Sequence, residues 1–459
     1  VWSQSETPPP YLMGGSLVQG YTFNPNHPTD GYNGTVTWTD RANEYQLNQA
    51  WTYAEIPTDT SKKEFDWGGR IDLLFGSSYR WTTSSGFEDK IFKTNTGINS
   101  NCTALPATGT QGTAKDNSNC NTVSSQYGLS IPQLYIDAAY KSFKLRIGHI
   151  ISPVGFFTVD TTQNFFAVLP YTYQYGEPFT HWGTWVYWAV NERLNAMGGA
   201  TYGGDNFDGS GTGSKLPGFL GTVNYIFADK STLDWVVHIS SEYNYKSAAN
   251  STDPAILSGD FKSGSYNRFE SLYSWRYFQT LVYKRNLTTK LQWVLQSDFG
   301  IQKVADFEAA LTGSHTLDKE VYAMWYGINT YFFYALTDVL RVGLNLEWFR
   351  DQNGVRVGSV LPSMAATSTR AAGMGTGSSP FRGNYIGNFF AITIGPRFQV
   401  QKNTFVRFMA RYDYFDDAAL NALKPGDTGY NQTGSAALPF GDGNSRNQLI
   451  FGIDLGVVF

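Results

Sequence analysis

Arginines that alternate with apolar residues are the side chains best placed to act on charged or dipolar molecules. In the C-terminal third of the sequence they occupy alternate positions of apolar segments, a spacing that places guanidinium groups on one face of a β-strand. A row of one sign would select ions by charge, and opposed rows across a water-filled space would orient dipolar solutes. The arginines of this kind are Arg341, Arg397, Arg407 and Arg411.

Carboxylates that could oppose these arginines occur in a long apolar and aromatic connection, residues 152–181. It carries Asp160 and Glu177. Because long connections in compact folds usually have a function, we expect this one to fold inward and form a constriction. The alternative is that the charges only form local ion pairs. Acids within the arginine segments would keep the guanidinium groups apart, namely Glu347, Asp413 and Asp454.

Motifs for covalent or metal chemistry are weak in this sequence. His149 and His181 are isolated, and the spacings H-x-x-H and C-x-x-C do not occur, which disfavours a structural zinc site. The segment 205–211, DNFDGSG, offers oxygen atoms to calcium but lacks the EF-hand spacing, so a solvated loop is the favoured interpretation. G-x-S-x-G and phosphate-binding loops are also missing. We therefore expect neither an enzyme nor a bound cofactor or metal.

The two cysteines, Cys102 and Cys120, lie in one Gly/Thr/Asn-rich segment. Their closeness predicts a disulfide and an oxidising compartment. Closing a loop of this size would contribute roughly 3 kcal/mol in the chain-entropy model. Two free thiols are the alternative.

Composition narrows the class of protein. Only 16% of the 459 residues are charged, against about 25% in a soluble domain. No run of about 18 apolar residues occurs, so a membrane-spanning helix is excluded. A closed β-barrel spans a membrane with low mean hydropathy, here −0.31, because each strand is apolar only at alternate residues. The net charge of −4 disfavours nucleic-acid binding.

Alternation is strictest at the C-terminus, where NQLIFGIDLGVVF places Leu449, Phe451 and Ile453 on one face and Gln448 and Asp454 on the other. Similar segments, joined alternately by tight turns and long polar loops, predict an all-β fold. We expect a transmembrane antiparallel barrel of about sixteen strands, with short periplasmic turns and long extracellular loops. Its domains would be a periplasmic lead, 1–10, and the barrel, 11–459.

Several phrases resemble the β-barrel porin-2, OmpL-like family. They lie at 43–57, 66–76, 127–140, 145–157 and 174–183, and QYGEPFTH after GHIISPVGF is the most distinctive. The resemblance implies an outer-membrane porin of undefined substrate and carries no ligand residues over. Phe459 looks like the terminal signal of such barrels. The phrase at 66–76 contains two residues that we expect to face the lumen or to form a structural ion pair, Arg70 and Asp72.

The leading functional hypothesis is passive diffusion of small hydrophilic solutes and ions through a water-filled barrel in the cell outer membrane. The alternative is a structural or adhesive barrel that anchors a surface layer or partner through its long outer loops. We expect contact with outer-membrane lipid and lipopolysaccharide and, by analogy with general porins, a homotrimer.

Overall fold

The structure is a computed structural model. Two predictions lie outside the residues that it describes: the lead at 1–10 and the disulfide between Cys102 and Cys120. The described residues are 11–29, 31–61, 63–84, 87–88, 127–207, 217–242, 274–305, 320–352, 356–357, 385, 387–416, 438–441 and 444–459.

The described chain is almost entirely β-strand, as its alternating apolar residues predict. Its strands are β1 (Leu12–Phe23), β2 (Glu44–Ile56), β3 (Phe65–Gly76), β4 (Gly128–Ser130), β5 (Leu134–Tyr140), β6 (Phe143–Ile151), β7 (Thr180–Asn191), β8 (Leu194–Thr201), β9 (Gly218–Ile226), β10 (Thr232–Glu242), β11 (Ser274–Asn286), β12 (Leu291–Ala305), β13 (Glu320–Ala335), β14 (Leu340–Asp351), β15 (Gly387–Gln401), β16 (Thr404–Asp416) and β17 (Asn447–Val458). One helical turn, α1 (Tyr79–Thr82), and one π-helical turn, Thr172–Gly176, accompany them. No helix in the described part is long and apolar enough to cross a membrane.

The strands form one closed antiparallel barrel. Each strand pairs with its neighbours in the sequence, and β1 closes the circle by pairing with both β2 and β17. Strands β4 and β5 both pair with β3 and follow one another in the chain, so they form a single interrupted strand. The described strands therefore make a sixteen-stranded barrel, which confirms the predicted fold class. At the seam, the backbone N–H of Gly15 donates to Phe459 O (2.8 Å), and the N–H of Phe459 donates to Gly15 O (2.9 Å).

The two faces of the strands differ as the sequence predicts. On β17, Leu449 and Ile453 are 38% and 44% exposed on the outside, whereas Gln448 is 1% exposed inside. On β16, Phe408 is exposed on the outside and Arg407 is buried inside. An apolar outer face suits lipid, and the inward face can carry the charges that lipid would exclude.

Connections alternate between short and long around the barrel. The short ones join β2 to β3, β5 to β6, β7 to β8, β9 to β10, β11 to β12, β13 to β14 and β15 to β16. The sequence KRN at 284–286 reads as a tight turn, but β11 continues to Asn286, which pairs with Gln292, and the chain reverses at 287–290. The long connection after β6 is the third of its kind and ends where β7 begins at Thr180.

Candidate functional site

The long connection after β6, residues 152–179, lies inside the barrel and is here called the inward loop. Aromatic rings fix its first half to β13. The ring centres of Phe156 and Phe157 lie 5.1 and 5.6 Å from that of Tyr331, and Phe165 lies 4.7 Å from Phe333. Burying several aromatic rings stabilises the position of the loop, because each contributes a large apolar area and a favourable ring contact.

Two arginines of the opposite wall hold the same half of the loop through its backbone. Arg407 Nη1 donates to the carbonyl oxygens of Thr161 (2.7 Å) and Asn164 (2.8 Å). Arg397 Nη1 donates to Asn164 O (2.9 Å), and its Nη2 donates to Thr162 O (3.2 Å). Arg407 is also paired with a carboxylate on β17, because its Nε donates to Asp454 at 2.9 and 3.0 Å. These guanidinium groups therefore anchor a turn of the loop.

Asp160, predicted at the constriction, stabilises that turn. Its Oδ1 accepts hydrogen bonds from the backbone N–H of Thr162 (3.0 Å) and from the Thr162 hydroxyl (2.7 Å). From the other side, β2 contributes Gln49, whose Nε2 donates to Val159 O (2.7 Å) and whose Oε1 accepts from the N–H of Thr161 (3.1 Å). The carboxylate thus bonds within its own turn, which Arg397 and Arg407 hold through backbone oxygens.

The second half of the loop is held by a buried charge network on β14 and β16. The N–H of Tyr171 donates to Glu347 Oε2 (2.7 Å), and its hydroxyl donates to Asp413 Oδ1 (3.0 Å). Arg411 lies between the two acids, pairing with Glu347 through Nη1 and with Asp413 through Nε (2.8 Å). One cation and two carboxylates thus fix a tyrosine of the loop, and all the side chains involved are buried.

Glu177, the other predicted constriction acid, contacts β12 rather than the arginine wall. Its Oε1 accepts a hydrogen bond of 2.6 Å from Gln296 Nε2. Arg341, by contrast, is exposed on β14, where it lies across from Arg397. The assignment of these residues to a channel constriction stays a prediction.

The opposite side of the lumen carries further ion pairs. Arg70 donates to Asp72 (2.6 Å) and pairs with Glu55 (2.9 Å), and the indole N–H of Trp51 donates to Asp72 (2.8 Å). Of these residues, the sequence alone indicates only Arg70 and Asp72. Pairing of neighbouring strands brings together two further ion pairs that the sequence does not indicate, namely Asp137 with Arg146 and Asp234 with Lys284.

The first long connection, residues 24–43, also enters the barrel, which sequence analysis did not foresee. The N–H of Thr37 donates to Gln174 Oε1 in the inward loop. Asp40 forms a buried ion pair with Arg80, with both bonds at 2.9 Å. Burial alone would raise the pKa of Asp40, but the charge and hydrogen bonds of Arg80 outweigh it and hold the pKa below its usual range. Buried Trp38, in a segment otherwise rich in Asn and Thr, was the available signal.

The two singled-out histidines have structural partners. His149 contacts Ser84 Oγ (2.9 Å) and Ile131 O (2.8 Å) through its two ring nitrogens. His181 contacts Ser152 Oγ (3.0 Å) and Gly203 O (3.0 Å). No group of three or more His, Cys, Asp or Glu side chains suited to a metal ion occurs among the described residues.

Replacing Gly155 with alanine is expected to displace the start of the inward loop. Gly155 has φ +81°, and an added Cβ would lie 2.0 Å from Glu177 Oε2. The backbone conformation alone costs a non-glycine residue about 1–2 kcal/mol. We expect Gly155→Ala to lower the urea midpoint of unfolding, measured by tryptophan fluorescence in detergent. Gly198→Ala is the matched control, because its Cβ would meet only the Phe219 ring, at 3.5 Å, and should change little. Equal effects of both changes would contradict this account of Gly155.

Comparisons with known proteins agree with this architecture. Residues 10–459 match the family described as "Putative beta-barrel porin-2, OmpL-like". Similar solved structures include OprB of Pseudomonas putida (TM-score 0.53, 13% identity, 98% of this chain and 94% of that one) and the anion-selective porin of Comamonas acidovorans (0.52, 10%, 98% and 99%). The outer membrane channel DcaP of Acinetobacter baumannii is also similar (0.51, 8%, 98% and 97%). At sequence identities of 8–13%, this similarity shows that the fold is shared. No curated protein matches the sequence at a significant level.

Proposed function

The chain belongs to the β-barrel porin-2, OmpL-like family, and we propose that this outer-membrane channel favours anions among the small hydrophilic solutes and ions that diffuse through it. The family and the fold are those of channels rather than enzymes. The proposed anion preference rests on one observation, an excess of positive charge along one cross-strand row of the lumen.

That row runs across four neighbouring strands, β14 to β17. Arg341 lies opposite Arg397, Arg397 opposite Arg407, and Arg407 opposite Asp454. Asp454 is fully engaged by Arg407. Among the described residues, no carboxylate forms an ion pair with Arg341 or Arg397. Arg341 and Arg397 therefore supply a local positive field along this row, which would attract anions.

Neutralising this row should weaken the anion preference. A unit charge about 8 Å from a permeating ion in water contributes on the order of 0.5 kcal/mol, with opposite signs for an anion and a cation. Screening by salt roughly halves that energy, so losing two charges should lower the anion-to-cation permeability ratio about five-fold. We would measure the reversal potential of Arg341→Gln/Arg397→Gln in a planar bilayer under a salt gradient. Arg285→Gln is the control, because Arg285 pairs with Asp229 at a short connection and points away from the lumen. Cation selectivity of the unmodified channel would refute the proposal.

We further propose a homotrimer that packs through the outer face of β8, where Ala196, Gly198 and Ala200 are small and the exposed ring of Phe219 on β9 lies beside Gly198. Small side chains on one barrel would leave room for such a ring from the next. Ala200→Trp should convert the trimer to a monomer, as measured by mass determination in mild detergent. An unmodified protein that is monomeric under the same conditions would refute this assembly.

The apolar outer band supports contact with membrane lipid, and contact with lipopolysaccharide stays a prediction. The alternative role in anchoring a surface layer depends on outer loops that lie largely outside the described residues. It too stays a prediction.

A further inference from the structure

Two carboxyl groups meet where the inward loop rejoins the barrel. Glu177 lies near the end of the inward loop, and Asp298 points inward from β12. The two residues are 1% and 2% exposed, respectively. One amide holds both, because Gln296 Nε2 donates to Glu177 Oε1 (2.6 Å) and to Asp298 Oδ2 (2.8 Å). The same glutamine reaches the start of the loop, since its Oε1 accepts a hydrogen bond of 3.0 Å from the N–H of Phe156.

In the described part of the chain, neither acid forms an ion pair with lysine, arginine or histidine, so no cation there compensates their charge. The ionisable groups that face them are Tyr331 on β13 and, within the loop, Tyr173, which in turn lies near Asp205. Elsewhere in the lumen, buried acids do meet a guanidinium group, namely Asp72, Asp413 and Asp454.

Two buried carboxylates side by side cannot both remain ionised at low cost. Burying an uncompensated charge is unfavourable, and a second like charge adds repulsion, so such a pair keeps a proton that separate carboxyls would lose. Burial, followed by the charge of Asp298, raises the pKa of Glu177 well above its usual range. With one proton between them, each acid can be hydrogen-bonded and the pair carries one negative charge.

We propose that Glu177 and Asp298 share one proton and act as positioning residues. This pair is here called the latch, because in its singly protonated form it holds the inward loop against β12. Loss of the shared proton at alkaline pH releases the loop. The conductance consequence rests on the proposed channel function. The position of Glu177 explains why release would affect both ends of the loop. Its carboxyl packs against Gly155 near the start, and the neighbouring Gly176 O accepts a bond of 3.2 Å from Trp325 Nε1.

The direction of the pH effect follows from the raised pKa. An acid with a higher pKa in the folded state stabilises that state fully at low pH, and the contribution disappears as pH rises through the raised value. Above that value, each further pH unit should favour release about ten-fold, because one proton is lost. The protection of the peptide 170–180 from hydrogen exchange, taken relative to the intrinsic base-catalysed rate at each pH, should therefore fall at alkaline pH, and the single-channel conductance should change over the same interval.

Asp298→Asn tests the latch without emptying the site. The asparagine is isosteric with a protonated aspartic acid and leaves one negative charge on Glu177, so the alkaline transition should be abolished in both measurements. Asp234→Asn is the matched control on the neighbouring wall, and it should keep the transition, because Asp234 pairs with Lys284 (2.7 Å).

Hydrogen exchange and conductance separate the possible failures. A protein that never conducts refutes the channel, and exchange alone then decides the latch. Persistence of the alkaline exchange transition in Asp298→Asn would overturn the latch, as would its absence from the unmodified protein. A transition in exchange without any change in conductance would refute the link between the latch and permeation.

Discussion

Replacing residues 154–177 with a short Gly–Ser linker is expected to raise the single-channel conductance about three-fold or more, because a sixteen-stranded barrel leaves an aqueous channel wherever no loop fills it. The inward loop spans the interior from β6 and β7 to the opposite strands, where Arg397 and Arg407 hold it. The strand ends tolerate a short closure, because the N–H of Ser152 donates to Phe179 O (2.9 Å) and the two ends already meet. Planar-bilayer recordings would measure the change.

Heat-modifiable mobility on a gel would verify that the shortened protein forms a barrel. A correctly folded variant whose conductance equals that of the unmodified protein would show that the loop does not limit the channel.

Replacing Arg407 with methionine is expected to destabilise the barrel strongly. It leaves Asp454 buried without its cation and frees the carbonyl oxygens of Thr161 and Asn164. Removing one partner of a buried ion pair typically costs about 3–5 kcal/mol. We expect a corresponding fall in the free energy of unfolding in urea, together with noisier open-channel current, because the loop loses an anchor.

The double variant Arg407→Met/Asp454→Leu provides the control. Replacing both members of a buried pair with apolar residues often restores stability, so the double variant should be more stable than Arg407→Met alone. If the two variants were equally unstable, the unpaired carboxylate would not be the cause.

The faces of the strands could be predicted from the sequence because they depend on a local period of two residues. The side chains of Leu449 and Ile453, and of Arg407 and Asp413, lie on the sides that their positions indicate. The order of the strands follows from the sequence, since consecutive strands pair with one another. Closure by β1 and β17 follows because an open sheet edge in lipid would leave its backbone N–H and C=O groups without partners.

Contacts between distant parts of the chain were not predictable, because they depend on register and on backbone atoms. Arginines were expected to face carboxylates across open water, but Arg397 and Arg407 donate to carbonyl oxygens of the loop, which every residue possesses. Glu177 and Asp298 meet only because the loop returns to the barrel beside β12. No spacing in the sequence indicates that pairing.

This barrel is a water-filled channel in the outer membrane, a claim that its ionic conductance tests directly. The most direct measurement is single-channel recording of the purified, folded full chain in a planar bilayer. We predict discrete, reproducible conductance steps. A heat-modifiable, correctly inserted barrel that shows no steps would contradict the claim.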